Sequence, residues 1–231
     1  MTKKHYILSG IFLFLALEIL LITFADKPIS QELRIIEAQN PGLIGFFRSY
    51  TDLGKSKWYL WPSGIAILVF SALLHMKLFS RQARMKLKRI GEKLLFFFLC
   101  IAASGIITDI LKRLIGRARP VKLEQDGLYG FFPVVFESRF HSMPSGHATT
   151  AFALAFALAV LLPRWRVAFF ALGVFLAVSR IMVNAHFLSD VLAGGVIAYL
   201  TTLLMQRLDA YHGMFLARDS IFPIDRKSRR R

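Results

Sequence analysis

The sequence predicts an all-α, polytopic membrane protein with six transmembrane helices and both termini in the cytoplasm. Apolar residues make up 55% of the 231-residue chain, more than an ordinary soluble domain carries. They fall into six blocks, at 6–25, 58–79, 94–110, 146–162, 167–183 and 187–205. Each is close to the roughly 20 residues that a helix needs to cross about 30 Å of hydrocarbon. The Lys and Arg residues behind a formal charge of +16 gather between these blocks, where membrane topology places them. That placement argues against a nucleic-acid partner, which the net charge alone would have suggested.

The first block follows Lys3 and Lys4 and reads as a retained anchor with its N-terminus inside. A cleaved signal peptide ending at Thr23-Phe24-Ala25 is the other reading, and the apolar stretch is long for that role. Residues 26–57 are then external. They hold Pro28, Pro41, Gly42 and Gly45 around amphipathic stretches such as that from Glu32 to Glu37, and they lie along the membrane surface as a connecting hairpin or a substrate gate.

Between the second and third blocks come Lys77, Arg81, Arg84, Lys86, Lys88, Arg89 and Lys93, the densest short cationic loop and therefore cytoplasmic. Arg164 and Arg166, and a basic tail at about 207–231, fall on the same side when six spans are counted. The lone cysteine, Cys100, reads as a packing residue of the third block; it excludes an intramolecular disulfide and a cysteine-based metal cage. With no internal repeat or low-complexity linker, residues 1–231 read as one integral-membrane domain.

The second external segment breaks the topology rule. It opens with Lys112, Arg113, Arg117 and Arg119 before Pro120, where an outer loop should be poor in cations. Cations at the outer mouth of a helical bundle hold an anion well, and phosphate suits Arg and Lys together. The segment ends in Pro144-Ser145-Gly146-His147 at the start of the fourth block, where free amides and the helix dipole also favour an anion. His147 adds a group able to deliver a proton near neutral pH. Around the fifth and sixth blocks stand Ser179, Arg180, His186 and Asp190. An Arg near the membrane boundary calls for a paired or ligand-facing position. His186 and Asp190, four apart, share a face if helical, so that the carboxylate accepts one imidazole N–H and frees the other nitrogen as a nucleophile.

These residues resemble the three-part pattern of the type 2 phosphatidic-acid phosphatase superfamily: Lys, six residues, Arg-Pro; Pro-Ser-Gly-His; and Ser-Arg, five residues, His, three residues, Asp. Lys112, Arg119, Pro120, Pro144, Ser145, Gly146, His147, Ser179, Arg180, His186 and Asp190 match at every fixed position, giving a motif core at 112–190. The resemblance implies hydrolysis of a phosphate monoester or diphosphate on a membrane lipid, without metal or other cofactor. His186 is then the nucleophile, Asp190 its support and His147 the acid and base. Lys112, Arg119, Ser145, Gly146 and Arg180 hold the phosphoryl oxygens, with Pro120, Pro144 and Ser179 as motif support. Such a small polytopic chain looks bacterial, an enzyme of the cytoplasmic (inner) membrane whose site faces the periplasm or exterior.

The partners implied are the bilayer and a lipid phosphate: a polyprenyl diphosphate such as undecaprenyl diphosphate, phosphatidate or phosphatidylglycerophosphate, or a lipid A phosphate. Transfer to another lipid, and a non-catalytic transporter or scaffold, are the alternatives; a vanadate-dependent haloperoxidase shares the anion pocket but is not typically a polytopic membrane protein. Among the neighbours, Asp109 reads as a local ion-pair partner of Lys112 and Arg113. Arg117 and Arg139 read as headgroup contacts or exposed loop charges. His141 matches no family position.

Overall fold

A computed structural model describes residues 3–76 and 79–212. Lys77 and most of the basic tail, from residue 213 on, lie outside the described residues. The chain runs α1 (Lys3–Leu20), a π-helical turn (Leu21–Ala25), α2 (Asp26–Gln39), α3 (Pro41–Thr51), α4 (Lys57–His75) and α5 (Arg81–Ile115). It continues through α6 (Pro120–Asp126), α7 (Gly146–Leu161), α8 (Arg166–Met182) and α9 (Leu188–His212). All six apolar blocks are helical, so the all-α expectation holds.

Five stretches are long and apolar enough to span a membrane: Leu8–Gln39, Pro41–His75, Arg81–Ile115, Pro163–Met182 and Leu188–Asp209. The sixth, α7, has 16 residues, about 24 Å at 1.5 Å per residue. It lies at the centre of the bundle, packed against α5, α8 and α9. A helix sheathed by others need not match the bilayer thickness, because its sides meet protein along its length. Its buried positions are mostly alanine, with Ala148, Ala151, Ala153, Ala155, Ala157 and Ala159 at 2% exposure or less. Small side chains let neighbouring helices come close, as membrane interfaces require. At Gly194 of α9, a β-carbon would lie 2.8 Å from the Ser145 carbonyl oxygen and 2.9 Å from Thr149 Oγ1. That glycine seats the start of α9 against the start of α7.

The lipid-facing side carries large exposed apolar residues such as Phe12, Trp61, Leu68 and Val167. Cys100 is fully buried with Phe96, Ala157 and Val160, the packing role expected of it.

One expectation is corrected. The cations from Arg81 to Lys93 are not in a loop but on the first turns of α5, a helix of 35 residues and about 52 Å. Ala, Met, Leu, Lys and Arg are good helix formers, and Ser80 caps the helix by accepting from the Ala83 N–H at 3.3 Å, so the helix extends beyond its apolar part. The segment 26–57 forms two short helices, α2 and α3, which bury Asp26, Ser30, Leu33, Ile44 and Thr51 against the rest of the protein and leave most of their other residues exposed; the helix of the first span continues into α2.

Candidate active site

The predicted site residues come together at one end of the bundle, on three pieces of chain, and a fourth piece packs against them. The first is the end of α5, which carries Lys112 and closes at Gly116 in the left-handed region (φ 62°). Then comes an extended stretch through Arg117 and Arg119, pinned by Ala118 N–H to Gly130 O (3.0 Å), Arg119 N–H to Arg139 O (2.9 Å) and Ser142 N–H to Arg117 O (3.0 Å). Pro120, at the first position of α6, forces the residue before it to be extended. Arg117 and Arg119, two apart on an extended chain, therefore face the same side.

The second piece is the start of α7. Ser145 is its N-cap, with Oγ accepting from the Ala148 N–H at 3.4 Å and its own N–H donating to the Asp190 carbonyl at 2.9 Å. Pro144 and Ser145 are buried, and Gly146 and His147 are half-buried. A β-carbon at Gly146 would sit 3.4 Å from Lys112 Nζ, which brings the first two motifs into contact. Lys112, Gly146 and His147 line one cavity of about 580 Å³ together with Lys55, Leu60 and Thr108.

The third piece is the turn between α8 and α9. Asn184, at φ 48°, closes α8, and the N–H groups of Ala185 and His186 both donate to the Arg180 carbonyl. His186 is therefore not helical. Asp190, in the first turn of α9, folds back so that Oδ2 accepts from the Phe187 N–H at 2.9 Å, the carboxylate half of a capping box. This corrects the reason given from spacing: a helix cap, not a shared helical face, brings His186 and Asp190 near. Their closest approach is 3.7 Å, from Nδ1 to Oδ2.

The imidazole N–H goes elsewhere. His186 Nδ1 donates to the Ser142 carbonyl at 2.8 Å, while Ser142 Oγ donates to Asp190 Oδ2 at 2.5 Å. Ser142 thus bridges the two residues, a role nothing in its sequence context announces. With Nδ1 protonated, Nε2 carries the free lone pair. Burial, with smaller opposing and reinforcing effects from Asp190 and the neighbouring arginines, brings the His186 pKa down to about 4, so the ring is neutral at pH 7.

The fourth piece, residues 26–57, read from sequence as a connecting hairpin or a substrate gate, packs against the site as one of its walls. Thr51 Oγ1 accepts from Arg180 Nη1 at 2.6 Å and from Ser179 Oγ at 3.0 Å. Ser30 and Asn184 exchange two hydrogen bonds, at 2.8 and 3.2 Å, that tie α2 to the turn bearing His186. Gly54 lies directly against His147: a β-carbon there would be 3.0 Å from the histidine's own.

Two cations have donors to spare. The Nε atoms of Arg119 and Arg180 are buried with no protein acceptor, while Arg119 Nη2 donates weakly to His141 O at 3.4 Å. Burial also lowers the Arg119 pKa, as expected of a guanidinium whose own carboxylate partner is distant. Buried N–H groups without acceptors are costly, and a phosphate oxygen would satisfy both. Among the described residues no group of three or more His, Cys, Asp or Glu is arranged to hold a metal ion.

The neighbours divide as follows. Asp109 pairs with Lys112 at 3.2 Å and Arg113 at 2.7 Å, as the spacing indicated. Arg139 is an exposed loop charge, 3.4 Å from Glu137. His141 Nε2 ties its loop to the Val135 carbonyl at 2.7 Å. Arg117 is neither a headgroup contact nor an exposed charge: it is 1% exposed and bonded to two aspartates.

A lipid A 1-phosphatase of Rhizobium johnstonii is 40% identical over 146 residues, covering 62% of this chain and 59% of that protein. A lipid A 1-phosphatase of Rhizobium etli is 37% identical over 163 residues, covering 68% of this chain and 69% of the relative. The chain therefore spans about three fifths of the length of the first of these relatives. The crystal structure of a transmembrane PAP2-type phosphatidylglycerolphosphate phosphatase from Bacillus subtilis superposes with a TM-score of 0.58 at 26% identity, over 88% of this chain and 96% of that one. Aquifex aeolicus LpxE, at 23% identity and a TM-score of 0.53 over 77% of this chain and 93% of that one, shares the fold. The model of the PAP2 superfamily matches residues 93–213, just over half of the chain and every motif position named above, and the protein belongs to that superfamily.

Proposed function

We propose that this protein is a membrane lipid phosphatase that removes phosphate through a phosphohistidine, with the 1-phosphate of a lipid A-type glycolipid as its leading substrate. The observation that carries the reading is a buried, neutral His186, its Nδ1 proton held by the Ser142 carbonyl, beside two guanidinium groups with unpaired Nε donors. The lipid A 1-phosphatases among the relatives support the choice of substrate. The site faces the exterior or periplasm in the six-span topology, with both termini inside, where a lipid headgroup meets water.

In this mechanism Nε2 of His186 attacks phosphorus, forming the N–P bond as the P–O bond to the lipid breaks. His147, protonated in the presence of the bound phosphate's negative charge, gives its proton to the departing lipid oxygen. Water then attacks phosphorus, His147 takes a proton from it, and the N–P bond breaks to release inorganic phosphate. Asp190 stabilises the charge that builds on His186 as the N–P bond forms. Lys112, Arg119, Arg180 and the amides at the start of α7 stabilise the equatorial oxygens, where charge spreads in the transition state.

The test is phosphate release by the detergent-purified protein in EDTA, with bisphosphorylated lipid A, phosphatidate, phosphatidylglycerophosphate and undecaprenyl diphosphate as substrates. Fastest release from lipid A, at its glycosidic phosphate, and loss of turnover in His186→Ala and His147→Ala are expected. Turnover retained in His186→Ala overturns the nucleophile; a faster reaction with another of the lipids overturns the substrate.

A further inference from the structure

Arg117 lies at the centre of a buried network that joins Asp190 to residues with no direct part in the reaction. Nη1 donates to Asp190 Oδ1 at 2.5 Å and to Ser189 Oγ at 2.6 Å. Nη2 donates to Asp26 Oδ2 at 2.8 Å and to Tyr129 Oη at 3.2 Å. Asp26 in turn accepts from Ser189 Oγ at 2.5 Å and from the Ser189 N–H at 3.1 Å. The guanidinium is enclosed by the rings of Phe187, Phe131 and Tyr129, at 4.6, 5.5 and 5.7 Å. Both aspartate side chains are fully buried. Asp26 belongs to a part of the chain that the superfamily model does not match, more than 60 residues before its start.

The charge pattern has a direct consequence. Two buried carboxylates, Asp26 at the start of α2 and Asp190 in the first turn of α9, share a single cation between them. Without Arg117 they would repel one another in a medium that screens poorly, and one would take up a proton. Burial by itself would lower the Arg117 pKa, but Asp190 and Asp26 outweigh it and hold it above its ordinary value, so the cation is permanent. Lysine could not take its place: two acceptors on opposite sides of a planar fork need two separate nitrogens.

We propose that Arg117 and Asp26 are positioning residues for the reaction, an aspartate–arginine pair that keeps Asp190 ionised and fixed so that it can support His186. The inference rests on the reading of His186 as nucleophile. Charge on the His186 ring develops only as Nε2 bonds to phosphorus, so the pair acts on the transition state and not on substrate binding. Its loss lowers kcat and leaves KM near its starting value.

The experiment compares wild type, Arg117→Gln, Arg117→Lys, Asp26→Asn and the double variant Asp26→Asn/Arg117→Gln for phosphate release from the substrate turned over by wild type. His186→Ala runs in parallel. Arg117→Gln should lower kcat by about 100-fold, the upper end for groups that orient a ligand or catalytic residue, with KM changed less than about threefold. Arg117→Lys should recover little. The double variant removes one charge of each sign and should regain about tenfold over Arg117→Gln alone, a rescue that a merely structural role would not give. If Arg117→Gln does not yield folded protein, Asp26→Asn carries the test, with a fall in kcat at unchanged KM. Normal kcat in folded Arg117→Gln, a rise in KM matching the fall in kcat, or no rescue in the double variant overturns the inference. Turnover in His186→Ala instead overturns the reading beneath it.

Discussion

Replacing Asp190 by Asn tests the centre of the site with a change of a single atom type. The Asp190 carboxylate is fully buried and accepts from three donors: Arg117 Nη1 at Oδ1, and Ser142 Oγ and the Phe187 N–H at Oδ2. An amide cannot serve all three. With its oxygen kept at Oδ2, its NH2 meets a guanidinium; with its oxygen at Oδ1, its NH2 meets the Phe187 N–H, which cannot turn round. Removing one partner of a buried ion pair costs about 3–5 kcal/mol. Arg117 keeps Asp26, so the expected loss is at the low end or just below, about 2–3 kcal/mol.

The effect on turnover is separable from the effect on stability. In a triad where the carboxylate alone fixes the imidazole tautomer, the Asn variant loses about 10⁴ in kcat. Here the Ser142 carbonyl, not the carboxylate, holds the Nδ1 proton, so the tautomer survives and only the electrostatic support is lost. A fall of about 10² to 10³ in kcat follows, roughly 3–4 kcal/mol in activation free energy. Thermal unfolding in detergent measures the first quantity, and phosphate release at saturating substrate the second. A folded Asp190→Asn protein with unchanged melting temperature and kcat within tenfold of wild type would refute the reasoning on both counts.

Two more outcomes follow from the same geometry. His186 has its pKa lowered to about 4, chiefly by burial, so it stabilises the folded state above about pH 6.5, an ordinary histidine value, and that contribution is lost as pH falls towards 4. Nitrogen NMR of labelled histidine at pH 6 should show a neutral ring protonated at Nδ1; an imidazolium titrating near 6.5 would contradict the burial argument. Gly54→Ala puts a methyl group 3.0 Å from the His147 β-carbon and 3.1 Å from Cδ2, so the ring must move by a few tenths of an ångström. Turnover should fall about 10- to 100-fold in a folded protein, because misplacement by less than 1 Å is enough to spoil proton transfer; kcat within twofold would show that the ring tolerates the shift.

The sequence was legible where chemistry follows from local spacing. Apolar block lengths gave the helices, and the cations of 112–119 marked the mouth of the site because they contradict the topology rule. What could not be read are contacts between residues far apart in the chain. Ser142 reaches Asp190 across 48 residues, Arg117 reaches Asp26 across 91, and Ser30 reaches Asn184 across 154. No periodicity within one segment encodes such pairs. Arg117 left one faint signal: two residues before an Arg-Pro that forces an extended chain, it had to face the same side as Arg119.

Asp26 left a signal too, hidden by a helical irregularity. Glu18 and Asp26 are ionisable residues in or at the end of the first apolar block, and such residues in a membrane segment usually face the protein interior. Eight residues apart on a regular α-helix, they would point about 80° away from one another, at about 100° per residue. The π-helical turn Leu21–Ala25 absorbs about one extra residue, and the offset shrinks to about 20°. Both side chains are then buried on one face, at 5% and 1% exposure, and the Ile22 carbonyl inside that turn accepts from the Tyr129 hydroxyl that also receives Arg117 Nη2. The irregular turn thus aims Asp26 at Arg117 and supplies an acceptor to the same network. A regular helix through Leu21–Ala25 would have left Asp26 about 80° from Glu18, turned away from this face and away from Arg117.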